Sequence, residues 1–205
     1  MRLEANGISF RYGNGPWLFR NVHLSVEPGE IVGITGPSGR GKTTFCKILA
    51  GFLKPSEGAV TVAGAPLPKR GYHPVQLVFQ HPEKSVNPRW KMEKILTEGW
   101  RPDEQLLQLL GIEKEWLTRW PNELSGGELQ RFCVARALGP ETRFLLADEM
   151  TTMLDAITQA QIWQAVLDIA QQRNMAVIVV SHDEKLIQRL CQRTIDFMQE
   201  QIPAK

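Results

Sequence analysis

Ile31-Val32-Gly33-Ile34 runs through Thr35 into Gly36-Pro37-Ser38-Gly39-Arg40-Gly41-Lys42-Thr43, and Thr44-Phe45-Cys46-Lys47-Ile48-Leu49-Ala50 follows. The first four residues read as a short apolar strand. The last seven have helical spacing that stops at Gly51. Strand, glycine loop, helix is the setting that a phosphate-cradling loop requires. A triphosphate's charges must be held without water. Gly36, Gly39 and Gly41 let backbone N–H groups curl inward, because glycine has no side chain in the way. A helix starting near Gly41 adds the positive end of its dipole. Pro37, Ser38 and Arg40 complete the loop. Lys42 supplies a point charge for the β and γ phosphates, the Thr43 hydroxyl an oxygen for Mg²⁺, and Thr44 a hydrogen bond for the α phosphate. The plain alternative is a glycine turn beside a surface lysine, and the full pattern with its flanks outweighs it.

Working outward, residues 3–34 read as β-rich, with turns at Tyr12–Pro16 and Glu27–Glu30. Glu57–Gly64 reads as a hairpin arm and Val75–Gln80 as the next strand. From His81 to about Gly139 the pattern turns helical, punctuated by Pro and Trp. Arg143–Ala147 and Ala176–Val180 are buried strands separated by an amphipathic helix from about Ile157 to Gln172. Apolar strands alternating with helices predict an α/β fold with a mainly parallel sheet. The helical middle reads as an insertion.

Composition sets outer bounds. A chain of 205 residues suffices for one compact domain carrying a subdomain. With 42% hydrophobic and 22% charged residues, a folded chain is expected rather than a disordered one. A net charge of +2 gives no argument for nucleic acid. Cys46, Cys133 and Cys191 lie far apart, as reduced thiols do in a cytosolic protein. Ala176–Val180 is far short of the ~20 residues a membrane helix needs. Met1–Gly7 lacks a signal peptide's apolar run. A membrane role is therefore expected to come through a partner.

Phe144-Leu145-Leu146-Ala147-Asp148-Glu149 ends an apolar strand on two carboxylates. Taken alone, that is a solvated strand end. Coupled to the glycine loop, Asp148 becomes a candidate Mg²⁺ ligand, directly or through water, and Glu149 a candidate to polarise the attacking water.

Four further segments follow in order: Val78-Phe79-Gln80, Leu124-Ser125-Gly126-Gly127-Glu128-Leu129-Gln130-Arg131, Leu154-Asp155 and Ser181-His182. With the glycine loop and the carboxylate strand, they resemble the ATP-binding-cassette (ABC) ATPases across nearly the whole chain. The resemblance implies a P-loop NTPase fold with an N-terminal antiparallel β subdomain. It implies a RecA-like catalytic core at 1–80 and 140–205, and an α-helical signature subdomain at 81–139. It implies ATP and Mg²⁺ as cofactors. Gln80 would contact Mg²⁺ or the lytic water, and His182 would bond the γ-phosphate. Ser125, Gly126, Gly127 and Glu128 would complete the ATP site of a second, opposing cassette. By itself that loop is also a plain capping box, Ser125 with Glu128 three residues on; both readings hold together. Tyr12 stands where the family places an adenine-stacking aromatic, with Phe10 and Trp17 as rivals. One stretch departs from the family: Met150-Thr151-Thr152-Met153-Leu154-Asp155 lacks the usual proline and carries Met153 for a small residue, at the expected subunit contact.

Gln80–Trp90, Ile95–Glu98 and Asp155–Gln161 resemble the peptide- and nickel-importer branch, while His81-Pro82-Glu83 is also similar to cassettes of vitamin and cobalt importers. The resemblance implies an ATPase at the cytoplasmic face of the membrane. Its partners would be a second cassette, an integral membrane permease and, indirectly, an extracellular substrate-binding protein; nucleic acid is not among them. The alternative is a soluble ABC-type ATPase of DNA repair or chromosome maintenance, but no coiled coil or basic face is evident. Trp90, Trp100, Trp116 and Trp120 all fall in the helical insert, where some are expected to fill its small core and one or two to line the groove that receives a permease loop. The chain ends soon after Arg193–Met198, so no added C-terminal regulatory region is expected.

Overall fold

The computed structural model describes residues 1–197. Met198 and the rest of 198–205, the tail of the expected core segment 140–205, lie outside the described residues. The described strands form two sheets. The first is antiparallel, in the order β2 (Phe19–Val26), β1 (Leu3–Phe10), β4 (Glu57–Val62), β5 (Ala65–Pro66). The second is parallel, in the order β6 (Val75–Val78), β7 (Phe144–Asp148), β8 (Ala176–Val180), β3 (Ile31–Thr35), β9 (Arg193–Asp196). Leu146 sits beside Leu77 on one side and Ile178 on the other.

β7 and β8 are buried at every residue, as central strands covered on both faces must be. Their side chains divide by strand alternation. Phe144, Leu146, Ile178 and Val180 join Val32 and Ile34 in a core shared with α1 (Lys42–Leu49) and the antiparallel sheet. Leu145, Ala147, Val177 and Val179 face the opposite core, built with α4 (Gly126–Ala137) and α5 (Ala156–Arg173). In the first core Phe19, Phe45 and Phe197 meet edge to face or tilted, with ring centres 5.4–5.9 Å apart. This sandwich fixes the C-terminal ends of β3, β7 and β8 side by side.

The 81–139 stretch is less helical than its pattern suggests. It holds α2 (Met92–Leu96), α3 (Glu104–Leu109) and the 3-10 turns Pro82–Lys84, Lys114–Thr118 and Pro121–Glu123 before α4. Pro82, Pro88, Pro102 and Pro121 interrupt anything longer. α4 begins at Gly126, ahead of the expected Glu128, because Ser125 is its cap. Trp116 is buried, Trp90 and Trp100 pack partly buried on the core, and Trp120 is 40% exposed. α6 (Glu184–Leu190) follows β8, and its Ile187 packs over Gly33 of β3.

Candidate active site

The glycine loop lies between β3 and α1, as its sequence demands. Gly41 has φ +93°, and a Cβ there would lie within 2.9 Å of Leu18 and Phe19 side-chain atoms. Only glycine lets the loop turn into α1 at that point. The Lys42 ammonium is buried and donates to the carbonyls of Gly36 at 2.7 Å and Pro37 at 2.8 Å. Burial lowers its pKa, against the pull of Glu149 and Asp148. The loop thus holds a desolvated cation at its centre.

β7 delivers the carboxylates. Asp148 is the strand's last residue and is buried. Glu149 turns the chain with φ +50°, a left-handed conformation that costs a non-glycine residue about 1–2 kcal/mol. Its N–H donates to Val180 O at 2.9 Å, which holds the bend against β8. The bend turns the second carboxylate toward the loop. Glu149 Oε1 accepts from His182 Nε2 at 2.9 Å, and Ser38 Oγ lies 3.2 Å from the same nitrogen. A carboxylate can only accept, so Nε2 carries the proton. A residue of the glycine loop, the β7 end and the β8 end therefore meet at one imidazole.

Asp148 differs from its neighbour. Burial raises its pKa; the Thr43 hydroxyl bond opposes that, and the Glu149 charge adds to it. Its Oδ1 is buried without a hydrogen-bond partner among the described residues. A buried carboxylate oxygen aimed at no donor, with a threonine hydroxyl on its other side, is a hard oxygen set suited to Mg²⁺. The residues fit a Mg²⁺–triphosphate.

A cleft of about 350 Å³ opens over these groups, lined by Tyr12, Leu18, Ser38, Gly39, Gly41, Lys42, Thr43, Thr44, Glu149 and His182. Tyr12 is 61% exposed, and its hydroxyl lies 3.2 Å from Thr44 Oγ1. Phe10 packs edge-on against the Tyr12 ring at 4.9 Å, and Trp17 lies between the guanidinium groups of Arg11 and Arg20, so of the three aromatics only Tyr12 lines the cleft. Gly36, Pro37, Arg40 and Asp148 adjoin the cleft without lining it. Gln80 is half-buried and also outside the lining, two residues beyond Val78, which pairs with Ala147.

Ser125, Gly126, Gly127 and Glu128 are not brought to this cleft. Ser125 N donates to Glu128 Oε2 at 2.6 Å, and Glu128 N donates to Ser125 Oγ at 3.3 Å, the reciprocal capping box. The loop is exposed at Ser125 and Gly126. A Cβ on Gly127 would lie 3.3 Å from Thr158 Cγ2 and 3.7 Å from Leu154. The signature loop therefore packs on the start of α5, where Asp155 accepts from Ile157 N and Thr158 N at 3.0 Å each. Sequence reasoning did not single out Leu18 or the Ser38–His182 contact, which joins residues 144 positions apart.

A family described as "ABC transporter" matches residues 19–152. The chain belongs to the ABC transporter family. It is 33% identical to the nickel import ATP-binding protein NikE of Escherichia coli (strain K12), over 94% of this chain and 82% of that one. NikE of Rhodospirillum rubrum is 36% identical over 84% of this chain and 69% of its own length. Among solved structures, the ATP-binding cassette MJ0796, described as a dimeric post-hydrolysis state bound to ADP and Pi, superposes with a TM-score of 0.79 at 28% identity, over 95% and 93% of the two chains. The chain is thus an ABC-type ATP hydrolase with a P-loop NTPase fold, related to the nickel and peptide importer branch. No helix among the described residues is long and apolar enough to cross a membrane.

Proposed function

We propose that this chain energises import of a small solute, nickel or a peptide, as the ATPase subunit of an ABC importer. The observation that carries the reading is the imidazole of His182 held between Glu149 and Ser38 over the lysine loop. Lys42 and the loop amides bind the β and γ phosphates, Thr44 the α phosphate, and Tyr12 stacks on the base. Thr43 and Asp148 would hold Mg²⁺, and Gln80 the ion or the lytic water; a bound ion would supply neutralisation of the triphosphate's charge. At rest the His182 proton is engaged by Glu149. A γ-phosphate oxygen competes for that proton and frees Glu149 Oε1 to accept from water. The water oxygen then attacks the γ phosphorus, its proton passes to Glu149, and the bond to the ADP oxygen breaks.

Ser125–Glu128 stand apart from their own phosphate loop and carry exposed helix-start amides. We read them as the closing edge of a second cassette's ATP site. ATP then bridges two chains, and hydrolysis removes the bridging phosphate. The dimeric cassette MJ0796 supports this pairing. The chain would sit at the cytoplasmic face of the membrane, bound to a permease and served by an extracellular binding protein. Residues 1–80 and 140–205 would act as the catalytic core and 81–139 as the signature subdomain. Glu149→Gln tests the chemistry. Turnover should fall about 10²–10⁴-fold with ATP binding retained; unchanged turnover would contradict the reading.

A further inference from the structure

One polar side chain in α4 has no part in the reading above. Gln130 is 0% exposed, deep in the second core. Its Nε2 donates to the Phe79 carbonyl at 3.0 Å, one residue before Gln80. Its Oε1 is buried and has no hydrogen-bond partner among the described residues. A buried amide with one satisfied end is an uncommon arrangement, because the unmet acceptor has lost its water and gained nothing.

The surroundings hold α4 more firmly than the segment that faces Gln130. The C-terminal end of α4 is pinned several times. Trp100 Nε1 donates to Arg136 O at 2.9 Å, and Thr142 Oγ1 to Ala137 O at 2.7 Å. Arg173 Nη1 donates to Leu138 O at 2.8 Å, and Gly139 N donates to the Tyr72 hydroxyl at 3.0 Å. Nearer its start, Arg131 Nη1 donates to Leu110 O at 2.6 Å and Arg131 Nη2 to Gln161 Oε1 at 2.7 Å, so α4 is held along its length. On the other side, β6 ends its pairing at Val78, so Phe79 and Gln80 lie past the ladder. The Gln80 side chain makes no hydrogen bond among the described residues. Gln130 is the polar tie from α4 to this segment.

We propose that Gln130 is a positioning residue that couples the signature helix to Gln80. Its N–H₂ holds the Phe79 carbonyl in the present arrangement. Its unmet carbonyl oxygen favours a second arrangement, in which the 79–81 segment turns a backbone N–H toward it. Binding of MgATP reaches that arrangement, and the 79–81 segment moves against the held helix and carries Gln80 with it. The inference rests on the ATPase reading above and deepens it.

The test uses the full chain with two variants of similar shape. Gln130→Met removes both polar atoms, and Gln130→Glu removes the donor to Phe79. Equilibrium binding of a non-hydrolysable ATP analogue with Mg²⁺ is measured beside amide hydrogen exchange at 79–81. In the parent, the analogue should slow exchange there by roughly tenfold, the scale of one buried hydrogen bond. In Gln130→Met, which has no acceptor, that slowing should vanish, and in Gln130→Glu, which keeps an acceptor oxygen, it should persist, while analogue affinity of both stays within about twofold, since the lysine loop is untouched. A parent that does not bind the analogue overturns the ATPase reading itself. A parent that binds without slowing at 79–81, a Gln130→Met chain that slows as the parent does, or a Gln130→Glu chain that does not, overturns the coupling role alone. Two variants that unfold outright would make Gln130 a plain core residue, which also overturns it.

Discussion

Asp148→Asn should stabilise the nucleotide-free chain. The native state buries this carboxylate with one oxygen unmet, and burial is the largest influence on its raised pKa. Asn leaves a polar atom in the same place but removes the buried charge, whose extra burial cost over a neutral amide is on the order of 1–3 kcal/mol. For a chain of this size each kcal/mol moves Tm by about 2–4 °C. Near the middle of the range, the variant's Tm rises by roughly 4–8 °C at neutral pH. The sign follows from proton linkage. A carboxyl that titrates higher when folded than when unfolded binds protons more tightly in the native state, so its charge costs stability above the folded pKa. The cost fades as pH falls through that raised value and is gone below the ordinary aspartate range. The gap between variant and parent should therefore be widest near pH 7 and narrow on acidification. With Mg²⁺ and an ATP analogue the order reverses, because the parent regains the carboxylate's partner and the variant does not. Calorimetric unfolding with and without nucleotide reads both effects. A variant that melts below the parent at pH 7 without nucleotide would refute the argument that this oxygen is held ready for a cation.

Two other substitutions separate stability from binding. Tyr72→Phe leaves the buried Gly139 N–H without its acceptor. That should lower Tm by roughly 4–8 °C with nucleotide affinity unchanged in the same titration. Tyr12→Ala removes the exposed ring at the cleft mouth. Affinity for ATP and GTP should fall by a similar factor, on the order of ten, as stacking worth ~1–3 kcal/mol has little preference among bases; isothermal titration with both nucleotides checks it.

The fold was legible wherever a residue pattern had one physical solution. Ile31–Lys42 could only be a strand feeding a glycine loop and a helix, and β7 and β8 announced themselves as continuous apolar runs. The capping box at Ser125 was equally plain, because both partners are local. The 81–139 stretch was harder. Its apolar residues do face a core, but proline breaks the periodicity into short turns that a helical pattern does not distinguish. The candidate site was legible as residues and not as contacts. Ser38 and His182 are brought together by the β3–β8 pairing, and no local signal carries that. Gln130 lay in plain sight within the signature stretch, yet its buried, half-satisfied amide is a property of packing alone.

In the function proposed, one chain's phosphate loop is completed by another chain's signature edge. Light scattering of the Glu149→Gln chain, by itself and mixed with any cassette that pairs with it, tests this most directly. With saturating MgATP the particle mass should double, and with MgADP it should return to that of one chain. A chain fully loaded with ATP that keeps the mass of a single cassette in every mixture would contradict the account.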